Sequence, residues 1–323
     1  MRADLHIHSN ASDGTDSPAE LLEKIIESGI NIFALTDHDT INGALEIMTP
    51  LNPVGSMTPL HPPLSGEDLN ATSCSAPCQG GGREGVLTNN QGGEVVFIKG
   101  IEFSCITANH HKCHILGLNY DEDNHDFQEA LNIGDKLRHE KFYRRIDLLR
   151  EKFAIEFTED EISSLLSIPS VGKPHIAKLL IQKGLAATIT EAIERYINPC
   201  RTQGSRISAE MAVNAINSSG GIAVWAHPLG GEGERELSQD EFREALSELL
   251  SYGIMGLECF YSKYELAKCE WLEEVAVREK LFISGGSDYH GRNKNITLGR
   301  LNAENIYIDA NRLSILGILG ILS

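Results

Sequence analysis

An α/β barrel is the fold this sequence predicts, and two observations predict it. Short apolar runs that read as strands alternate with helical patterns, and chemistry-bearing side chains cluster where those strands end. Four runs stand out: Asp4-Leu5-His6-Ile7-His8-Ser9, Thr36-Asp37-His38-Asp39, Ala226-His227-Pro228 and Ser287-Asp288-Tyr289-His290. Each offers imidazole or carboxylate, the donors that borderline divalent metals prefer. One such run would carry little weight. Four of them imply a polymetal site assembled from the ends of several strands.

The elements follow in order. Residues 4–7 read as a first strand. Ser17, Pro18 and Glu20 then supply an N-cap, a first-turn proline and a capping-box carboxylate for a helix over 19–28. That helix sets Leu21, Leu22, Ile25 and Ile26 on one face and stops at Gly29. A strand over 31–36 ends on Asp37-His38, and a short helix starts at Ile41. The stretch 49–93 is rich in Pro, Gly, Ser and Asn and reads as a disordered insertion or loose lid. Strands are predicted again over 94–101, delivering Glu102, and over 112–118, carrying His114. From 126 to about 197 the signals are helical, in four segments: 126–153, 159–166, 174–183 and 190–197. Strand–helix alternation then returns, with strands over 221–226, 256–258 and 281–285, and no internal repeat is apparent. The expected organisation is a discontinuous barrel (1–120 and 201–305), a helical insertion over 121–200, and a segment over 306–323 packing on the body.

Bulk properties narrow the function. A net charge of −18 over 323 residues disfavours a broad electrostatic grip on duplex DNA. A small anionic substrate remains compatible, because bound cations reverse the local field. Seven cysteines, an odd number, predict reduced thiols in a cytoplasm rather than a disulfide framework. The start of the chain lacks the apolar run of a signal peptide, and the apolar tail at 313–322 is shorter than a membrane span, so a soluble protein is expected. Cys74 and Cys78, four apart with no second pair nearby, read as incidental.

His6 and His8 lie two apart on a strand and project from the same face, a chelating geometry that a solvated edge strand could equally carry. Asp13 sits in a tight Ser-Asp-Gly turn able to fold back toward them. Asp37, His38 and Asp39 emerge together from a core strand, which is costly without a cation. Glu102 ends an apolar strand and could bridge two metals. His114, inside an apolar strand, would in isolation read as a hydrogen-bonded core histidine. His227, Asp288 and His290 follow later strands, the last two again at i, i+2 spacing. A single metal site explains them jointly.

These pieces resemble the PHP (polymerase and histidinol phosphatase) family of metal-dependent phosphoesterases. The matches are D-L-H-I-H-S at 4–9, T-D-H-D at 36–39, G-I-E-F-S at 100–104, H-I-L-G-L at 114–118, G-K-P-H-I-A at 172–177, A-H-P at 226–228 and G-S-D-Y-H-G at 286–291, in the family's order. The resemblance implies a distorted seven-stranded (β/α) barrel with three divalent metal ions, of Mn, Fe or Zn type, in its mouth. It assigns His6, His8, Glu102 and Asp288 to one metal. Glu102, His114 and His227 go to a second, and Asp13, His38 and His290 to a third. Asp37 and Asp39 are expected to orient imidazoles or a bridging water. Relatives commonly carry Arg-Pro-His where this chain has Lys173-Pro174-His175, so the phosphate clamp keeps its charge and loses bidentate geometry. His175, with Lys173 and Arg206, is the expected phosphate grip, and Lys294 is a weaker candidate.

The implied activity is hydrolysis of a phosphate ester by metal-activated hydroxide. The expected substrate is a nucleoside monophosphate or a 3′,5′-nucleotide bisphosphate. Histidinol phosphate and the 5′ end of a short RNA are alternatives, and a catalytically silent scaffold module is an alternative of another class. Every expected ligand position is filled, which favours an enzyme.

Overall fold

The computed structural model describes residues 1–49, 57–59, 84–88, 94–202, 204, 206–231 and 235–322. All seven predicted strands join one sheet. The first is β1 (Ala3–Ile7), followed by α1 (Pro18–Glu27), β2 (Ile32–Leu35) and α2 (Asn42–Met48). The capping box of α1 forms as the sequence predicts, Ser17 accepting from the Glu20 N–H while Glu20 accepts from the Ser17 N–H.

Within the stretch expected to be structureless, two short strands are described, β3 (Met57–Pro59) and β4 (Glu84–Thr88). They pair with each other, and β4 runs antiparallel along the first half of β5 (Glu94–Ile106). Cys74 and Cys78 lie outside the described residues.

β5 is longer than the predicted run, so Glu102 sits within a strand rather than at its end. The extension is encoded by period-2 alternation: Ile101, Phe103 and Cys105 are buried in the apolar core, while Glu102 and Ser104 face the opposite side. The strand also changes neighbours. Residues 96–99 pair in parallel with β2, and residues 100–106 pair antiparallel with β6 (Lys112–Leu118). Because β6 runs backwards, His114 reaches the barrel mouth from near the start of its strand.

The helical region consists of α3 (His125–Phe153), α4 (Glu159–Leu166), α5 (Lys173–Gln182) and α6 (Ile189–Ala192), the last running into a π-helical turn at Ile193–Ile197. Asn124 caps α3 by accepting from the Asp126 and Phe127 N–H groups, and α3 ends at Ala154 in left-handed conformation (φ 54°). α3 serves two cores. Phe127 and Ala130 near its start belong to the main core, whereas Phe142, Ile146 and Leu149 pack with Ile176, Leu180 and Tyr196 in a second one.

After β7 (Ile207–Ser208) come α7 (Ala209–Ser218), β8 (Ile222–Ala226), α8 (Gln239–Tyr252), β9 (Gly256–Tyr261), α9 (Leu266–Glu279), β10 (Phe282–Gly286) and α10 (Ile315–Ile318). The sheet order is β1-β2-β5-β6-β8-β9-β10. The Asp288 N–H donates to the His6 carbonyl (2.8 Å) and the His8 N–H to the Tyr289 carbonyl (2.9 Å), bringing the last strand back beside the first. The result is a nearly closed, distorted seven-stranded barrel. Gly286 is required at this seam, because a Cβ there would collide with the backbone and Cβ of His6. The tail packs on the body as expected, Leu313, Ile315, Leu316 and Leu319 all being buried. Among the described residues no helix is long and apolar enough to cross a membrane.

Candidate metal centre

All nine expected ligands converge at one end of the barrel. β1 supplies His6, and His8 follows it. The turn after β1 supplies Asp13, and the segment after β2 supplies His38. Glu102 comes from β5, His114 from β6, His227 from just beyond β8, and Asp288 and His290 from just beyond β10. Three of the site's residues hold left-handed backbone: Asp39 (φ 51°), His227 (φ 28°) and Asp288 (φ 58°). Such conformations cost energy outside glycine and persist where surrounding contacts impose them.

Glu102 is the hub. Its Oε2 lies 3.2 Å from His6 Nε2, 3.2 Å from His8 Nε2 and 3.0 Å from His38 Nδ1. Its Oε1 lies 2.9 Å from His114 Nδ1 and 3.1 Å from His227 Nε2. Asp288 Oδ1 is 3.3 Å from His8 Nε2, and Asp13 Oδ1 is 3.1 Å from His290 Nε2. Four overlapping sets have donor atoms close enough to share an ion: His6, His8 and Asp288; His6, Glu102 and His227; His38, Glu102 and His114; and His8, Asp13, His38 and His290. His38 belongs to two of them, aiming Nδ1 at Glu102 and Nε2 at Asp13.

Divalent cations suit this donor set. Asp13 Oδ1, His38 Nδ1, Glu102 Oε2 and His290 Nε2 are buried yet make no hydrogen bond among the described residues. Buried polar atoms are rarely left so. The nitrogens of His6 and His8 approach to 3.1 Å and those of His114 and His227 to 3.2 Å, so neighbouring ring nitrogens are aimed into shared space.

The electrostatics agree. Burial would raise the Glu102 carboxyl, but the imidazoles of His38, His114 and His6 hold it well below the carboxylate range. Asp288 is likewise held low against burial, chiefly by Lys294, whose Nζ donates to Oδ2 at 2.8 Å. Both groups are anionic and ready to accept cations.

A surrounding layer fixes the donors, and it includes Glu258, a residue with no imidazole beside it in sequence. Its Oε1 lies 3.0 Å from His6 Nδ1, and its Oε2 accepts the His227 N–H at 2.6 Å. The signal was present: a carboxylate inside an otherwise apolar strand needs a partner. Tyr261 donates to Asp288 Oδ2 at 3.0 Å, and the Asp288 carbonyl lies 2.8 Å from His290 Nδ1.

Among the described residues, neither Asp37 nor Asp39 hydrogen-bonds an imidazole directly. Asp37 accepts from the Ser9 N–H, the Ser9 hydroxyl and the Ser12 hydroxyl, and reaches His8 through Ser12, whose Oγ lies 3.5 Å from Nδ1. Asp39 accepts from the Ser104 N–H at 2.7 Å and pairs with Arg138. Burial opposes this charge, yet the guanidinium holds the Asp39 carboxyl down at about 2. Satisfied by serines and an arginine, these two carboxylates shape loops and place a cation.

Above the donors lies a cavity of about 530 Å³, lined by Asp13, His38, His114 and His290 below and by the helical region above. Of the expected phosphate contacts, Lys173 and Arg206 line it, as does Lys294. Lys173 donates to Asn198 Oδ1 at 2.9 Å, and Arg206 donates toward the carbonyls of Cys113 and Cys105. His175 is not part of the wall. It is buried, its Nδ1 accepts the Gly172 N–H at 2.9 Å as a cap for α5, and burial lowers it to about 4. A neutral capping imidazole has no charge to offer a phosphate. Arg138, Lys141 and Arg145 also line the cavity. Their i, i+3, i+7 spacing puts them on one face of α3.

A family model described as PHP domain matches residues 4–205. The chain belongs to the PHP family. Among curated PHP relatives, a 5′-3′ exoribonuclease of Haemophilus influenzae is 28% identical, with 89% of each chain covered. A phosphoribosyl 1,2-cyclic phosphate 1,2-diphosphodiesterase of Eggerthella lenta is 26% identical over 90% of this chain and 95% of its own. A 3′,5′-nucleoside bisphosphate phosphatase of Chromobacterium violaceum is 24% identical over 89% of this chain and 86% of its own. The PHP fold is shared with a solved Chromobacterium violaceum structure, described as an amidohydrolase (TM-score 0.68, 23% identity, covering 92% of this chain and 90% of that one). It is shared also with one from Bifidobacterium adolescentis (TM-score 0.67, 22% identity, covering 96% and 97%). This PHP protein is a phosphoesterase, a hydrolase of phosphoric esters.

Proposed function

We propose that the enzyme removes a phosphate from a nucleotide, either a nucleoside monophosphate or a 3′,5′-bisphosphate. In this reading three divalent cations of Mn, Fe or Zn type occupy the mouth. His6, His8, Glu102 and Asp288 hold one, Glu102, His114 and His227 a second, and Asp13, His38 and His290 a third. Such cations, when bound, acidify water toward neutral pH and neutralise phosphoryl oxygens. The chain's own groups do the placing. Glu258 fixes the His6 ring, Lys294 keeps Asp288 anionic, and Asp39 holds Arg138 at the cavity wall.

The observation that carries the reading is the cavity itself. Metal-type donors form its floor, cationic side chains stand on one flank, and Phe142, Ile176, Ile189 and Ile193 give an apolar wall suited to a nucleobase. The relative named as a 3′,5′-nucleoside bisphosphate phosphatase supports that substrate class. A second reading, trimming of short RNA from its 5′ end, is favoured by the relative named as a 5′-3′ exoribonuclease.

The test is a metal-replete preparation offered adenosine 3′,5′-bisphosphate, AMP, histidinol phosphate and a short 5′-phosphorylated RNA. Inorganic phosphate and released nucleotides are quantified. Phosphate from the nucleotides is the expected result. Mononucleotides released stepwise from RNA select the second reading. Turnover of histidinol phosphate alone overturns both.

A further inference from the structure

Although the chain carries a net charge of −18, four basic side chains crowd one wall of the cavity. Arg138, Lys141 and Arg145 come from successive turns of α3, and Arg206 comes from the segment before β7. Arg138 has a carboxylate partner in Asp39. Among the described residues no carboxylate pairs with Lys141, Arg145 or Arg206. Arg145 is only 6% exposed, and the Nε atoms of Arg138 and Arg145 are buried without a hydrogen-bond partner. Burial, with Arg206, Arg138 and Arg145 as neighbours, pushes the Lys141 amine down to about 6. Basic groups gathered in a partly desolvated wall carry their protons only at a cost, which an anion bound among them would offset.

The cluster is spread along α3. Arg138 is tied to Asp39, beside His38. At ~1.5 Å rise per residue, Lys141 stands roughly 4.5 Å and Arg145 about 10 Å farther along α3. The cluster thus extends along the α3 wall of the same cavity, beyond the Arg138–Asp39 pair, with room for an anion beside one seated over the donor atoms.

We propose that Lys141 and Arg145, with Arg138 and Arg206, form a second anion subsite holding a phosphate that the enzyme does not cleave. This rests on the nucleotide reading above and sharpens it, making selection for a second phosphate the work of the α3 face. The phosphate concerned belongs either to a bisphosphate or to the next diester of a short RNA.

Binding is measured by calorimetry on chelator-treated protein, with adenosine 3′,5′-bisphosphate, the dinucleotide pApA and AMP as ligands. Wild type, Lys141→Met and Lys141→Arg are compared, each checked for an unchanged circular dichroism spectrum. The expected result is at least tenfold weaker binding of the bisphosphate or the dinucleotide to Lys141→Met, a smaller loss for AMP, and recovery in Lys141→Arg. Whichever ligand shows the larger loss identifies the source of the phosphate. In the metal-loaded enzyme, the kcat/KM ratio of bisphosphate to AMP should fall at least tenfold in Lys141→Met. Equal losses for all three ligands, or none, overturn the subsite. If the loaded enzyme turns over no nucleotide while the chelated protein still shows the Lys141-dependent preference, the substrate reading fails and the subsite stands.

Discussion

At the scale of single residues, the donors were legible and their supports were not. His6, His8, Glu102, His114, His227, Asp288 and His290 lie in or next to apolar runs, where a polar side chain needs a reason. Glu258 carries the same signal but stands alone in its strand, with no neighbouring imidazole in sequence to suggest a partner. Its contact with His6 spans 252 positions. We expect Glu258→Gln to weaken metal binding by ~10–100-fold, the usual effect of losing a partner that orients a ligating imidazole. The amide can satisfy the His227 N–H with its oxygen, but its NH₂ then faces His6 Nδ1 and favours the tautomer whose Nε2 is protonated. Chelator competition followed by elemental analysis would show the loss, and unchanged affinity would refute the role. Asp39 gives a pH prediction. Its carboxyl sits near 2, below the ordinary 3.8. The Asp39–Arg138 pair therefore contributes its full stability above about pH 4, and loses it as pH falls toward 2. Asp39→Asn should cost about 3 kcal/mol at pH 7, as breaking a buried pair does. That gap from wild type, read by denaturant titration, should narrow below pH 4.

Elements were mostly legible from periodicity and caps. The helix start at Ser17, the bounds of α4 and the existence of every barrel strand follow from local pattern. Direction is different. Nothing in Lys112–Leu118 records that this strand runs against both neighbours, because a strand's alternation looks alike in either sense. Its reversal follows from a connection of only five residues after β5, too short for a crossover helix. α3 likewise reads as one charged helix, and only its packing shows that it joins two cores. Leu149, fully buried in the second core, tests that organisation. Leu149→Ala should destabilise the protein by about 2–5 kcal/mol. The loss should appear first in hydrogen exchange of α4 and α5, ahead of the barrel strands. Uniform loss of protection would mean that the two cores unfold as one. On the same helix, Lys141→Met should stabilise the ligand-free protein by on the order of 1 kcal/mol, because an apolar side chain escapes the repulsion among cations. The lysine's penalty is fully developed below about pH 6 and fades as pH rises toward its ordinary 10.5. A melting-temperature series across that range reads it.

For the whole molecule, the site and the barrel closure are one structure. Donors from the first and last strands face each other across the β1–β10 seam, so ions that bind the folded site and not the open chain stabilise the fold. A free cation at a hundred times its Kd should add about 2.7 kcal/mol. The melting temperature should therefore rise with added Mn²⁺ or Zn²⁺, and chelation should reverse the rise. A melting temperature indifferent to both would separate the donors from any ion. Bulk composition hid the basic wall of the cavity, because a net charge averages over a surface that the fold divides.

The closing contacts have a consequence for how the protein is made. Asp4 accepts the Ser287 N–H from a residue 283 positions away, and Asp288 and His290 follow directly. Asp288 and His290 are therefore synthesised long after His6 and His8, and a chain made only as far as β9 carries an unfinished set of ligands.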